Sequence, residues 1–138
     1  MKYKLVEIIL KIFNFFNKKQ KNLQEQKESS KNNKIVLIKK DGTKVINPKI
    51  NGLNVTFTGK NNYIELREPF EIRGKVNIFA SGDNGVFCAK ESFRPKTLHV
   101  SLSNNSKILI GTDFSCERIF LSTNLAPNTT IKIGNDCR

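Results

Sequence analysis

At 138 residues the chain has room for one modest domain. Its 24 Lys+Arg against 12 Asp+Glu give a net charge of +12, which favours anionic partners such as nucleic acid, a phospholipid surface or phosphate-bearing ligands without choosing among them. Cys88, Cys116 and Cys137 form no CxxC pair and His99 is the one histidine, so the spacing disfavours a zinc site and leaves reduced, buried thiols as the expectation.

Residues 1–21 read as an amphipathic helix. At ~100° per residue, Glu7, Lys11, Asn14 and Lys18 share a narrow stripe. Leu5, Ile8, Ile9, Ile12, Phe13 and Phe16 gather opposite, flanked by Val6, Leu10 and Phe15. Glu7 and Lys11 form an i,i+4 pair in the favourable orientation. The apolar run is too short and interrupted to span a bilayer, which takes ~20 apolar residues, and no small-x-small cleavage site follows it. Two readings of the helix stay open. It lies at a membrane surface with Lys2, Lys4, Lys18, Lys19 and Lys21 on anionic head groups, or it packs on the rest of the protein or a partner subunit. Residues 22–34, with Leu23 as their one apolar side chain, read as a polar linker or the frayed end of the helix.

From Ile35 the pattern alternates. KIVLIKKDGTKVIN sets two β-rich runs around Asp41-Gly42, predicting a hairpin with a type I′ turn, whose two central residues both take positive φ. Short strands marked off by Asn, Gly, Ser and Lys follow, so residues 35–138 are predicted all-β.

The tail repeats itself. Ile108-Leu109-Ile110-Gly111-Thr112-Asp113 matches Ile131-Lys132-Ile133-Gly134-Asn135-Asp136, and the polar lead-ins Asn104-Asn105-Ser106 and Pro127-Asn128-Thr129 also correspond. Asn61-Asn62-Tyr63-Ile64-Glu65-Leu66 has the same form upstream, with similar apolar triplets at Leu53, Val55, Phe57 and at Val76-Asn77-Ile78. Short apolar strands returning every ~20 residues are the signature of a β-solenoid, in which each coil exposes an inner face that only the next coil covers. Gly after the inner Ile suits a corner where a side chain would clash or φ must be positive. Asn at the turns tolerates left-handed backbone and can stack in ladders. A β-sandwich has strands at similar spacing but no reason to repeat Ile-Gly-x-Asp at matching positions.

ILIGTDFS and IKIGNDCR resemble the repeats of the hexapeptide-repeat acyltransferases, in particular the branch with longer, irregular coils associated with surface-polysaccharide synthesis. The resemblance covers residues ~50–138. It implies a left-handed parallel β-helix preceded here by the amphipathic helix and a β-hairpin lead-in. It also implies transfer of acetyl from acetyl-CoA, as co-substrate, to the hydroxyl of a sugar or nucleotide-sugar acceptor. Homotrimers with clefts between neighbouring helices, a cytoplasmic or membrane-associated location and a histidine general base complete what the family implies. In this branch the histidine follows the IGNDC phrase, beyond Arg138, so the expectation is an N-terminal portion that is inactive alone, carries no catalytic residue or metal site and binds no cofactor of its own, with cofactor-binding residues left unassigned.

His99 is the one candidate base within the chain. In LHVSLS it shares a face with Ser101 and Ser103, opposite Leu98, Val100 and Leu102, and no acidic residue within several positions is placed to orient the ring. That pattern reads as a solvated outer face. Asp113 and Asp136 occupy matching turn positions, while Cys116 and Cys137 read as core. The rival reading is a non-enzymatic binding or scaffold module whose basic surface meets membrane or nucleic acid. Nucleic-acid use is disfavoured, because there is no RNP-like aromatic cluster, zinc pattern or basic recognition helix, and the ten Phe do not interleave with Lys.

Overall fold

Long runs of Lys, Gln and Glu with no Gly or Pro before Gly42 favour helix well beyond the apolar stretch. In the computed structural model, α1 accordingly runs Lys2–Ser30, through most of the segment read as linker or frayed end. Residues 2–138 are described, with the side chains of all but residues 2, 3 and 22–30; Met1 and the Lys2 side chain therefore lie outside the described residues. The chain divides into two units, Met1–Asn32 and Asn33–Arg138.

The second unit is built of ten strands: β1 (Lys34–Ile38), β2 (Lys44–Ile46), β3 (Leu53–Phe57), β4 (Tyr63–Arg67), β5 (Lys75–Ala80), β6 (Val86–Ala89), β7 (Thr97–Leu102), β8 (Lys107–Ile110), β9 (Ile119–Ser122) and β10 (Thr130–Ile133). They form a six-stranded sheet in the order β10-β8-β6-β4-β1-β2 and a four-stranded sheet in the order β3-β5-β7-β9. Every pairing is parallel except the β1–β2 hairpin. From β2 onward successive strands thus alternate between the two sheets, and the chain winds as a parallel β-helix. Strand partners are 29 residues apart between β1 and β4 and 21, 22 or 23 apart in the other parallel pairs, close to the expected return.

The hairpin differs from the predicted type I′ turn. Gly42 takes φ 85 but Asp41 does not enter the left-handed region. The Gly42 N–H donates to the Lys39 carbonyl and the Lys39 N–H to that of Thr43, each at 2.9 Å. This is the three-residue loop that ends on a left-handed glycine. Asp41 stays right-handed because its carboxylate accepts from both the hydroxyl and the N–H of Thr43, which also hold its pKa below the ordinary value.

Inward residues of both sheets fuse into one core, which includes Ile64, Leu66, Val76, Ile78, Phe87, Leu98, Val100, Leu102, Ile108 and Ile110. A third wall has almost no regular strand. Phe70 bridges Phe93, and the Arg94 and Ser115 N–H groups donate to the Phe114 and Cys137 carbonyls. Phe70, Phe93, Phe114 and Cys137 therefore stack in one column, with Phe114 and Cys137 at corresponding positions of the two tail repeats.

The corners explain the polar phrases. Asn61, Asn84, Asn105 and Asn128 all take positive φ, 57, 59, 53 and 60, and the Asn84 amide donates to Asn105 Oδ1 at 2.9 Å. Asp113 and Asp136 take φ 59 and 58 at the next corner, so their correspondence is conformational. Gly111 keeps an ordinary φ, yet a Cβ there would sit 2.5 Å from Asn135 Oδ1 and 2.7 Å from the Gly134 backbone. Of the two roles considered for this glycine, clash with the neighbouring coil is the operative one.

Gly134 occupies the same place in its repeat, but a Cβ there meets nothing within 4 Å. Gly111→Ala is therefore expected to destabilise the β-helix by about 2–3 kcal/mol, and Gly134→Ala to leave it within about 0.5 kcal/mol. Urea denaturation of the pair checks this directly. Equal effects would mean that coil-on-coil contact does not govern the repeat glycine.

Candidate functional site

The outer face of the four-stranded sheet carries the chain's histidine. Strand β7 turns Leu98 and Val100 inward and exposes His99. In register with it lie Asn54, Asn77 and Phe120 on β3, β5 and β9. Asn54 Nδ2 donates to Asn77 Oδ1 at 3.0 Å, and Asn77 Nδ2 lies 3.3 Å from His99 Nδ1. An amide nitrogen only donates, so on this assignment Nδ1 is the acceptor and the neutral ring carries its proton on Nε2. The amide ladder thus engages Nδ1 and, with the amide in this orientation, favours the tautomer that carries its proton on Nε2. A general base needs the opposite arrangement, an unprotonated nitrogen facing the hydroxyl and an N–H held by a carboxylate or carbonyl. In this tautomer the Nε2–H of His99 is free to donate a hydrogen bond to a ligand.

Next to this ladder runs the row Thr56, Phe79, Ser101, Ser122. The two rows enclose a shallow groove of about 360 Å³ lined by Asn54, Thr56, Asn77, Ile78, Phe79, His99, Val100, Ser101 and Phe120. None of the 24 Lys and Arg and none of the 12 Asp and Glu lines it. Its exposed aromatics are Phe79, 44 % accessible, and Phe120, 67 % accessible. A neutral groove with two ring faces, amide groups and an imidazole donor suits a neutral, hydroxyl-rich ligand better than a bare phosphate.

The solvated face expected for His99, Ser101 and Ser103 is only partly so. Ser101 is buried, because Asn124 reaches back across the sheet and donates to its Oγ at 2.7 Å. Ser103 is half-buried at a corner, where its hydroxyl meets Ser106 Oγ and donates to the Thr123 carbonyl at 2.7 Å. Both positions are covered by chain some 20 residues further on.

Two other clusters carry charge, one of them beside a thiol. Asp113 accepts from Arg94 Nη2 at 2.7 Å and Arg138 Nη2 at 3.0 Å, pinning three successive coils. The Arg138 guanidinium first, and Arg94 second, hold its carboxyl below the usual range. On the outer face of β4, Glu65 is buried and accepts from the Tyr63 hydroxyl at 2.6 Å and from Arg67 Nε at 2.9 Å. Burial, then the bond to Glu65, pushes the Tyr63 pKa up to about 12. Cys88 pairs with Glu65 in register, and burial followed by that carboxylate pushes its thiol up to about 11, away from nucleophilic character. Cys116 and Cys137 pack against the core, and all three cysteines are free thiols. Among the described residues no three His, Cys, Asp or Glu converge as a metal site.

Neither the Tyr63-Glu65-Arg67 cluster nor the exposed Phe79 and Phe120 had been singled out from sequence. The signal exists in both cases: YIELR, KVNIFA and IFLS alternate, so each of these residues falls on the outward phase of its strand. No protein family, curated protein or solved structure matches the chain.

Proposed function

We propose that residues 33–138 are scaffold coils of a β-helix acyltransferase of the hexapeptide-repeat kind. Such an enzyme moves acetyl from acetyl-CoA to the hydroxyl of a sugar or nucleotide-sugar in cytoplasmic surface-polysaccharide synthesis and assembles as a homotrimer. The observation carrying this reading is the register of the two Ile-Gly-x-Asp phrases. Ile108 pairs Ile131 and Ile110 pairs Ile133, with Asp113 and Asp136 left-handed at the same corner. The neutral groove beside His99 is where the acceptor sugar belongs, with the ring on Phe120 or Phe79 and hydroxyls on the Asn77 and His99 donors. His99 positions and does not deprotonate, so the catalytic base is not among these residues.

Two measurements test this reading. The chain is expected to show no acetyl-CoA turnover on amino sugars, with His99→Ala equally silent; turnover that His99→Ala abolishes would place the base in this chain after all. In ¹H–¹⁵N spectra, a UDP-linked N-acetylhexosamine is expected to shift the amides of Asn77, His99 and Phe120. Spectra unmoved at saturating sugar would remove the acceptor role of the groove.

A further inference from the structure

Between Leu5 and Phe16, α1 exposes nine large apolar side chains, each 54–70 % accessible. Contiguous apolar surface on that scale normally marks an interaction site. At ~100° per residue these side chains wrap an arc of roughly 220°, leaving a narrow stripe of Glu7, Lys11, Asn14 and Lys18. Between Lys4 and Lys21 there are five lysines against one glutamate, three of them directly after the last apolar residue.

A second copy of the helix and a lipid surface compete for this face, and Lys19 distinguishes them. It falls inside the apolar arc, between Ile8 and Ile12 on the wheel. A helix–helix seam continued past Phe16 would set its ammonium against apolar or like-charged neighbours without a counter-charge, since Glu7 lies on the opposite stripe. At a membrane surface its stem lies along the acyl chains while the ammonium reaches the phosphates. Among the described residues no helix is long and apolar enough to cross a membrane, so the helix would lie in the interface plane.

We infer that α1 is an interfacial helix that sinks its Leu5–Phe16 face into an anionic phospholipid surface, with Lys4, Lys11, Lys18, Lys19 and Lys21 on the headgroup phosphates. This inference goes beyond acyl transfer and stands without it.

The test is flotation of the whole chain with vesicles of phosphatidylcholine alone or containing phosphatidylglycerol. The anionic vesicles are expected to retain it at least about tenfold more strongly, and rising salt to release it. Ile9→Glu/Phe13→Glu is expected to abolish retention. Lys18→Glu/Lys19→Glu is expected to weaken it on anionic vesicles only. Absence of retention on both vesicle types, or equal retention on both, overturns the proposal. So does light scattering that shows an oligomer dispersed by Ile9→Glu/Phe13→Glu while neither vesicle binds; the face then joins copies of this chain.

Discussion

Replacing Phe93 by alanine is expected to cost the β-helix about 3–5 kcal/mol. Phe93 has no exposed surface and sits mid-column between coils. Its ring meets Phe87 edge-on at 6.2 Å and 70°, and stacks on Phe114 at 5.9 Å and 13°. Both arrangements are favourable for aromatic quadrupoles, so truncation loses ring contacts as well as buried area and leaves a cavity. The surrounding backbone cannot collapse into that space, because strands on either side are held by the parallel ladders. In a stack of coils that contact only their neighbours, a weak interface in the middle also uncouples the two ends. Urea unfolding followed by far-UV circular dichroism should show a lower midpoint and a broadened or split transition. Phe120→Ala, at an exposed position, is the control and should stay within about 0.5 kcal/mol. Comparable losses from both variants would mean that the column is not a structural axis.

Asn62→Ala is expected to cost about 3 kcal/mol, although it removes only a small polar group. Asn62 is 1 % accessible and sits where three coils meet. Its Nδ2 donates to the Gly82 carbonyl at 2.9 Å and to Asn33 Oδ1 at 3.2 Å, while its Oδ1 accepts from the Gly85 N–H at 2.7 Å. Alanine leaves these groups buried with fewer partners, and each unsatisfied group costs about 1–3 kcal/mol. Asn62→Asp separates hydrogen bonding from volume. It keeps the acceptor for Gly85 but turns a second oxygen toward Gly82 O and Asn33 Oδ1. A carboxyl there is expected to have a folded pKa above its unfolded value. The variant should therefore be least impaired below about pH 4 and lose stability as the pH rises above that. A pH-independent stability for Asn62→Asp, or an Asn62→Ala variant as stable as the native chain, would remove the polar junction from the account.

These effects mark what could be read in advance. Strand phase needs only local alternation: LHVSLS already assigns Leu98, Val100 and Leu102 inward, because every second side chain on a strand shares a face. The stacking of Ile108 on Ile131 needs only the repeat, since matching phrases in a solenoid occupy matching places. Left-handed asparagine corners follow from residue chemistry, as Asn tolerates positive φ at low cost.

Contacts between coils were not legible, because they join residues 19–29 positions apart and depend on which coil lies above which. Asn61 and Asn62 are identical neighbours, yet one is exposed and the other enclosed. The Phe70-Phe93-Phe114-Cys137 column escaped notice because its wall has no alternating run to reveal it. The partner of His99 Nδ1 is an amide contributed by β5, 22 residues earlier. Sequence alone thus determined the solenoid, its inner faces and its repeat, all of which follow from short-range periodicity. Tertiary structure decided which of two like residues is buried, which repeat glycine faces a neighbouring coil and which side chain meets the histidine ring, since each turns on what the adjacent coil places against it.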